Sequence, residues 1–281
     1  MIKKFLFVTF LTFMMSNANA QPFTLKSVGI AKEFRLKIYF GAEGKGAFVQ
    51  YVGQKGIIPL RIKKYAVDSS ERESGQPDFT TYVWDEVING ITTGSYGLTE
   101  GLRELTDIWY LRKKDGKRFL LQYVDEKPGA YSGDDSYLLH GVLLSFNHIK
   151  NNQLSFEYPG GTKKVVSLPD FDSPDYGRQG TIADYNFDGY DDVAFSIPDA
   201  GMGVYRTFSI WLYNAKSKRF EQLREPNDPR AKCSELCNVA IDKEKKLLFS
   251  SCRGAATWWK DVYRFGPDNK LVWIRSGKLK E

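Results

Sequence analysis

The chain predicts an all-β protein made of two antiparallel β domains, the second built around a strand–acidic loop–strand unit. Three observations carry that reading. Aromatic residues make up 15% of the 281 positions and stand among many β-branched ones. Gly, Asn and Asp recur at short intervals, where tight turns need them. Beyond the first twenty residues, no stretch has the convincing apolar spacing of a helix, and the short aromatic runs between turn residues read as strands.

The first twenty residues are read as a leader. MIKKFLFVTFLTFMMSNANA opens with Lys3 and Lys4, runs apolar from Phe5 to Met15 and ends in Ala18-Asn19-Ala20. That order marks a signal peptide, residues 1–20, cleaved after Ala20. The apolar run is too short to span a bilayer. No Cys follows the cut, so no lipid anchor is expected. The expected location is the periplasm in a host with two membranes, with no membrane anchor on the mature chain. Cleavage removes Lys3 and Lys4 and lowers the formal charge from +6 to +4. The remaining charges are scattered. They form no Lys/Arg block of the kind that binds nucleic acid.

The first domain is assigned to residues 21–135 and the second to residues 136–281. The boundary is read in EKPGAYSGDDSY, Glu126 to Tyr137, where Pro128, two glycines and an acidic pair interrupt any apolar alternation. Four hairpins stand out: KIYFGAEGKGAFVQYV and IWYLRKKDGKRFLLQYV in the first domain, FSIWLYNAKSKRFEQL and DVYRFGPDNKLVWIRS in the second. Each is an aromatic strand, a turn of Gly, Lys, Asn or Asp, and a returning strand. Their mutual similarity is too weak to define a repeat.

The second domain contains ADYNFDGYDD, Ala183 to Asp192. Numbered from Asp184, it reads D-x-N-x-D-G-x-x-D. Carboxylates packed this closely repel one another, and a cation at the centre would offset that. Ca²⁺ takes about six to eight oxygen ligands at about 2.3–2.6 Å. Asp184, Asn186 and Asp188 are expected to supply side-chain oxygens, Tyr190 its backbone carbonyl, and Asp192 a direct or water-bridged contact. Gly189 permits the sharp turn, and Asp191 is expected to point away. An EF-hand needs an acid at position 12, where this chain has Phe195. The flanking QGTIA and DDVAFSI are strand-like, so the setting is strand–loop–strand. The expected cofactor is therefore Ca²⁺, bracing two strands.

Three cysteines remain, Cys233, Cys237 and Cys252. In an oxidising compartment one disulfide and one free thiol are expected. A hairpin turning at Asp242 to Lys245 would bring Cys237 to Cys252, the favoured pair, with Cys233–Cys252 as the alternative. The two histidines, His140 and His148, are read as a satisfied strand residue and a turn residue. No G-x-S-x-G or H-E-x-x-H is present, and the chain is read as a non-enzyme.

TIADYNFDGYDDVAFSI resembles the calcium loops of FG-GAP and VCBS repeats, in which an acid at position 9 closes the site. With RTFSIWLYNAKSKRF and LFSSCRGAATWWKDVYRF, residues 137–281 resemble a family of periplasmic calcium-loop immunity proteins known from Xanthomonas. That family is related to the periplasmic inhibitors of invertebrate-type lysozyme. The resemblance implies binding to a secreted or delivered peptidoglycan hydrolase and obstruction of its active site. Such an inhibitor needs a small, rigid, protruding loop with a polar or cationic anchor. SSCRGAATWW offers Ser251, Arg253 and Gly254 for that role. YSGDDSY, with Ser132-Gly133 at its tip, is the rival. Because the chain is basic, a neutral or acidic hydrolase, or a contact through locally acidic patches at Asp134-Asp135 and Asp170 to Asp175, is expected. The competing reading is an FG-GAP-like adhesion or glycan-binding module with a structural calcium site.

Overall fold

The computed structural model describes residues 22–70, 78–101, 104–124, 132–170, 177–199 and 203–279. The expected leader, half of the expected boundary segment and most of the Asp170 to Asp175 patch lie outside those residues. Among the described residues the structure is all-β, with several antiparallel sheets and two single-turn 3-10 segments. No helix among them is long and apolar enough to cross a membrane.

Eight strands form a closed antiparallel barrel. They are β1 (Phe23–Val28), β2 (Arg35–Tyr39), β3 (Phe48–Tyr51), β4 (Ile58–Asp68), β5 (Phe79–Ile88), β6 (Ile91–Gly101), β7 (Glu104–Arg112) and β8 (Lys117–Tyr123). Closure comes from β1 pairing with β8, Leu25 opposite Tyr123 and Val28 opposite Leu120. Alternation sends one side chain in two to the interior, where Leu36, Ile38, Val49, Trp84, Tyr96 and Leu98 pack together. One carboxylate shares that interior. Glu86 accepts hydrogen bonds from Thr93 Oγ1 at 2.6 Å, Tyr96 OH at 3.0 Å and Tyr110 OH at 3.3 Å. Burial, and then the neighbouring charge and hydroxyl groups, pushes the Tyr96 phenol well above its ordinary value.

The remaining described residues make three four-stranded sheets, each a meander of consecutive strands. The first contains β9 (Asp134–Leu139), β10 (Val142–Asn147), β11 (Gln153–Glu157) and β12 (Lys163–Ser167). The second contains β13 (Gln179–Ala183), β14 (Asp192–Pro198), β15 (Arg206–Asn214) and β16 (Arg219–Gln222). The third contains β17 (Ala240–Asp242), β18 (Leu247–Gly254), β19 (Thr257–Phe265) and β20 (Leu271–Lys278). One core joins the first sheet to the second, with Leu144 and Phe156 packed among Val193, Phe195 and Trp211. Another joins the second to the third, with Ala194, Ile210 and Leu212 against Leu248 and Tyr263. The middle sheet is covered on both faces, which is why VAF, Val193 to Phe195, and IWLY, Ile210 to Tyr213, are apolar without alternation and buried throughout.

The barrel meets this stack beside the acidic loop. The turn Ala42–Gly44 between β2 and β3 carries Lys45 and Gly46. Leu138 N donates to the Gly46 carbonyl at 2.8 Å. Lys45 Nζ lies 2.9 Å from Asp191 Oδ1.

The disulfide differs from the favoured expectation: Cys233 is bonded to Cys252, with Cα atoms 5.6 Å apart, and Cys237 is a buried free thiol. The predicted hairpin is present, with Ala240 opposite Phe249. Continued without a break, that register would set Cys237 against Cys252. Asn238 prevents it. Its φ of 38° breaks the strand, and Cys237 instead forms a bridge to Thr207 of β15. Buried Asp261 accepts the Cys233 N–H at 2.8 Å and the Lys232 N–H at 2.9 Å, which holds the Cys233 segment next to Cys252.

Candidate functional site

The acidic loop joins β13 to β14, the predicted strand–loop–strand arrangement. Phe187 at φ 63° and Gly189 at φ 91° curl the backbone through the left-handed region, which Gly adopts at no steric cost. Asp184 holds the curl from its start. Its Oδ1 accepts the Asp188 N–H at 3.0 Å and its Oδ2 the Gly189 N–H at 2.9 Å. Asp188 Oδ1 accepts the Tyr190 N–H at 3.0 Å. Asn186 Nδ2 donates to Asp188 Oδ2 at 3.0 Å and to Asn269 Oδ1 at 3.3 Å. The side chains of Asp184, Asn186 and Asp188 thus share one turn.

Asp192 is placed differently from the other three. It is fully buried. Its Oδ2 accepts the Tyr185 N–H at 2.9 Å and its Oδ1 the Tyr213 N–H at 2.7 Å. The side chain therefore ties the end of the loop to its start and to β15. Burial pushes the carboxyl up to about 7, against the two amide hydrogen bonds that favour the charged form, and the negative charges of Asp188 and Asp184 push the same way as burial.

Three residues that sequence reasoning did not assign to this loop support it. Lys45 from the barrel pairs with Asp191. His140 is not in a strand. It sits in the two-residue turn between β9 and β10, with φ 53° followed by Gly141 at φ 79°. Its Nε2–H donates to the Asp191 carbonyl at 2.7 Å, and its ring stacks on Tyr213 at 4.0 Å. A His-Gly pair between alternating apolar runs was the available signal for that turn. Asn269, on the β19–β20 connection, is 83 residues away in sequence and left no local signal.

The donor set fits a hard cation chemically: carboxylates, an amide and a backbone carbonyl, with the charges of Asp188 and Asp184 adding to the burial that raises Asp192. The packing is less direct. Among the described residues, no three His, Cys, Asp or Glu side chains form a group that could hold a metal ion. Asn186 gives its Nδ2 to the Asp188 carboxylate, and its Oδ1 accepts the Asp188 N–H at 3.3 Å.

The second predicted site is the tip of the β18–β19 hairpin. The last strand pair is Gly254 with Thr257, and Ala255 at φ 53° makes the turn. Arg253, Gly254, Ala255 and Ala256 are exposed. Among the described residues Arg253 makes no ion pair. Cys252 is buried directly beneath it and bonded to Cys233, so the tip is braced, by a different partner from the favoured one. Ser251 lies below the tip, half-buried, with its N–H donated to the Cys237 carbonyl at 2.7 Å.

The rival tip is fastened down. Asn147 Nδ2 donates to the Ser132 carbonyl at 3.0 Å and to Asp134 Oδ1 at 2.7 Å. Asp135 is buried, 3.0 Å from His148 Nε2, so it is no part of an acidic surface. The Nδ1 atom of His148 bonds the Arg178 carbonyl at 2.6 Å, a bracing role at the bend after β10.

No family model matches the chain, and no curated protein matches it. Among solved structures it is similar to the WD40 domain of SCAP from fission yeast, at 7% identity over 88% of this chain and 74% of that one. The TM-score of 0.27 is too low for that likeness to carry anything about fold or function.

Proposed function

We propose that this is an exported, calcium-braced β protein that binds a peptidoglycan hydrolase and blocks its cleft. The observation that carries the reading is the β18–β19 tip: an exposed Arg253 followed by three small residues, one position beyond a buried disulfide. A tip held by a covalent bridge loses little conformational entropy on docking. Arg253 would meet a cleft carboxylate through a charge-assisted hydrogen bond. The disulfide itself belongs to an oxidising compartment, which supports export. The acidic loop supplies the brace. Asp184, Asn186, Asp188 and the Tyr190 carbonyl would hold Ca²⁺, and bound Ca²⁺ would neutralise the carboxylates. Asp192 joins the loop to β15 from beneath.

The test is affinity capture with the mature chain from a periplasmic or secreted extract in calcium, followed by identification of the captured protein and measurement of its wall-degrading activity. Capture of a peptidoglycan hydrolase whose activity falls as the chain is added is the expected result. If no hydrolase is captured, or if a captured one works unimpeded, the inhibitor reading is wrong.

A further inference from the structure

The third sheet has one face in the stack, and the centre of its other face belongs to no hydrophobic core among the described residues. Strand alternation sends Leu248, Ser250 and Cys252 inward. The outer face carries Phe249, opposite Val262, and Arg253 at the end of the same row. On the neighbouring strands it carries Lys260, Arg264 and Arg275, the last directly opposite Val262. Arg253, Arg264 and Arg275 are exposed. Lys260 Nζ lies 4.0 Å from the Phe249 ring centroid, a cation–π contact that leaves the ammonium without a counter-charge. None of these four cations forms an ion pair among the described residues, and Phe249 and Val262 belong to none of the hydrophobic cores. Asp261, between Lys260 and Val262, is buried toward the inner face and accepts the Lys232 and Cys233 N–H groups, and Asp242 of β17 is paired with Lys245.

We infer that the outer face of β17–β20 is a docking surface for an acidic protein. A half-buried Phe249, beside the buried Val262 and ringed by Arg and Lys that form no ion pair among the described residues, gives this face the aromatic and Arg enrichment of an interface. Its charge selects a partner of opposite sign and accelerates encounter with it. The face is continuous with the Arg253 tip. The inference therefore rests on the hydrolase reading and narrows it: the target is an acidic hydrolase, and it contacts the whole sheet face as well as the tip.

The test measures binding of the full chain to two purified peptidoglycan hydrolases, one of net negative and one of net positive charge, by surface plasmon resonance at two ionic strengths. Three variants are compared with wild type: Arg264→Glu with Arg275→Glu, Arg264→Lys with Arg275→Lys, and Arg253→Glu. The acidic hydrolase alone is expected to bind. The double Glu variant should weaken it at least about tenfold, chiefly in association rate, while the double Lys variant keeps most of the affinity. If the acidic hydrolase binds and only Arg253→Glu weakens it, the sheet-face inference falls and the inhibitor reading stands. If neither hydrolase binds, both fall. If heparin binds as tightly as the acidic hydrolase and responds to the same reversals, the face is a polyanion surface and the inference is overturned.

Discussion

Asp192 satisfies two backbone amides from separate segments, so its two oxygens must both be acceptors. Asp192→Asn keeps the volume and removes the charge, yet it turns one NH2 toward an N–H. One buried donor is then left unsatisfied, at a cost of about 1–3 kcal/mol. A fall in denaturation midpoint of that size is the expected outcome, and an unchanged midpoint would mean the side chain is not the tie described. Cys237 offers a second residue-level prediction. Burial pushes its thiol up to about 12, with Glu235, Asp199 and Glu225 adding negative charge around it. The thiolate is the nucleophile, so at pH 8 the folded chain should resist iodoacetamide. In denaturant without reductant, one cysteine per chain should be labelled. Rapid labelling of the native protein would contradict the placement of Cys237.

At the scale of elements, most strands were legible. All four hairpins picked out in the sequence are present, because aromatic runs flanked by Gly, Asn or Asp leave few other conformations. The QGTIA and DVAFSIP strands on either side of the acidic loop were readable for the same reason. The disulfide partner was not. It turns on one residue, Asn238, entering the left-handed region, and on Asp261 reaching back across the third sheet to Cys233. Neither is visible in a local pattern. The His140 turn was misread because the apolar residues on both sides look like one continuous strand. Turns carry fixed demands of their own, as the β2–β3 connection shows. Gly44 has φ 72°, and a Cβ there would lie 2.7 Å from Ile62 Cδ1 and 3.1 Å from Trp84 Nε1. Trp84 Nε1 also donates to the Gly44 carbonyl at 2.7 Å. Gly44→Ala should cost about 2–4 kcal/mol, from the left-handed backbone and the overpacked core together. A loss below about 0.5 kcal/mol in a denaturant titration would show that the barrel interior yields more readily than its packing suggests.

At the scale of the molecule, three meanders of the same form follow one another without sequence repetition. Strand pairing and face burial set the architecture, and many apolar sequences satisfy both. The acidic loop stands where the barrel and this stack meet, touched by Lys45 from one side and His140 from the other. Calcium binding there should stabilise the whole fold. At free calcium about 100 times Kd, the gain is about 2.7 kcal/mol. Chelation should lower the melting temperature of wild type, and Asp184→Ala with Asp188→Ala should remove both the calorimetric heat and that response. Equal melting temperatures in calcium and in chelator would rule out the proposed brace.

The central claim is that the Arg253 tip enters a hydrolase cleft, and clearing of a peptidoglycan suspension tests it most directly. The hydrolase captured by the mature chain is assayed by turbidity with increasing wild-type protein and with Arg253→Glu, both in calcium and both confirmed folded. Wild type is predicted to halt clearing at about one equivalent once the concentration exceeds Kd, and Arg253→Glu to require at least about tenfold more, since a reversed charge faces the cleft acids. Equal inhibition by the two proteins would contradict the account of the tip, and undiminished clearing with saturating wild type would contradict the function itself.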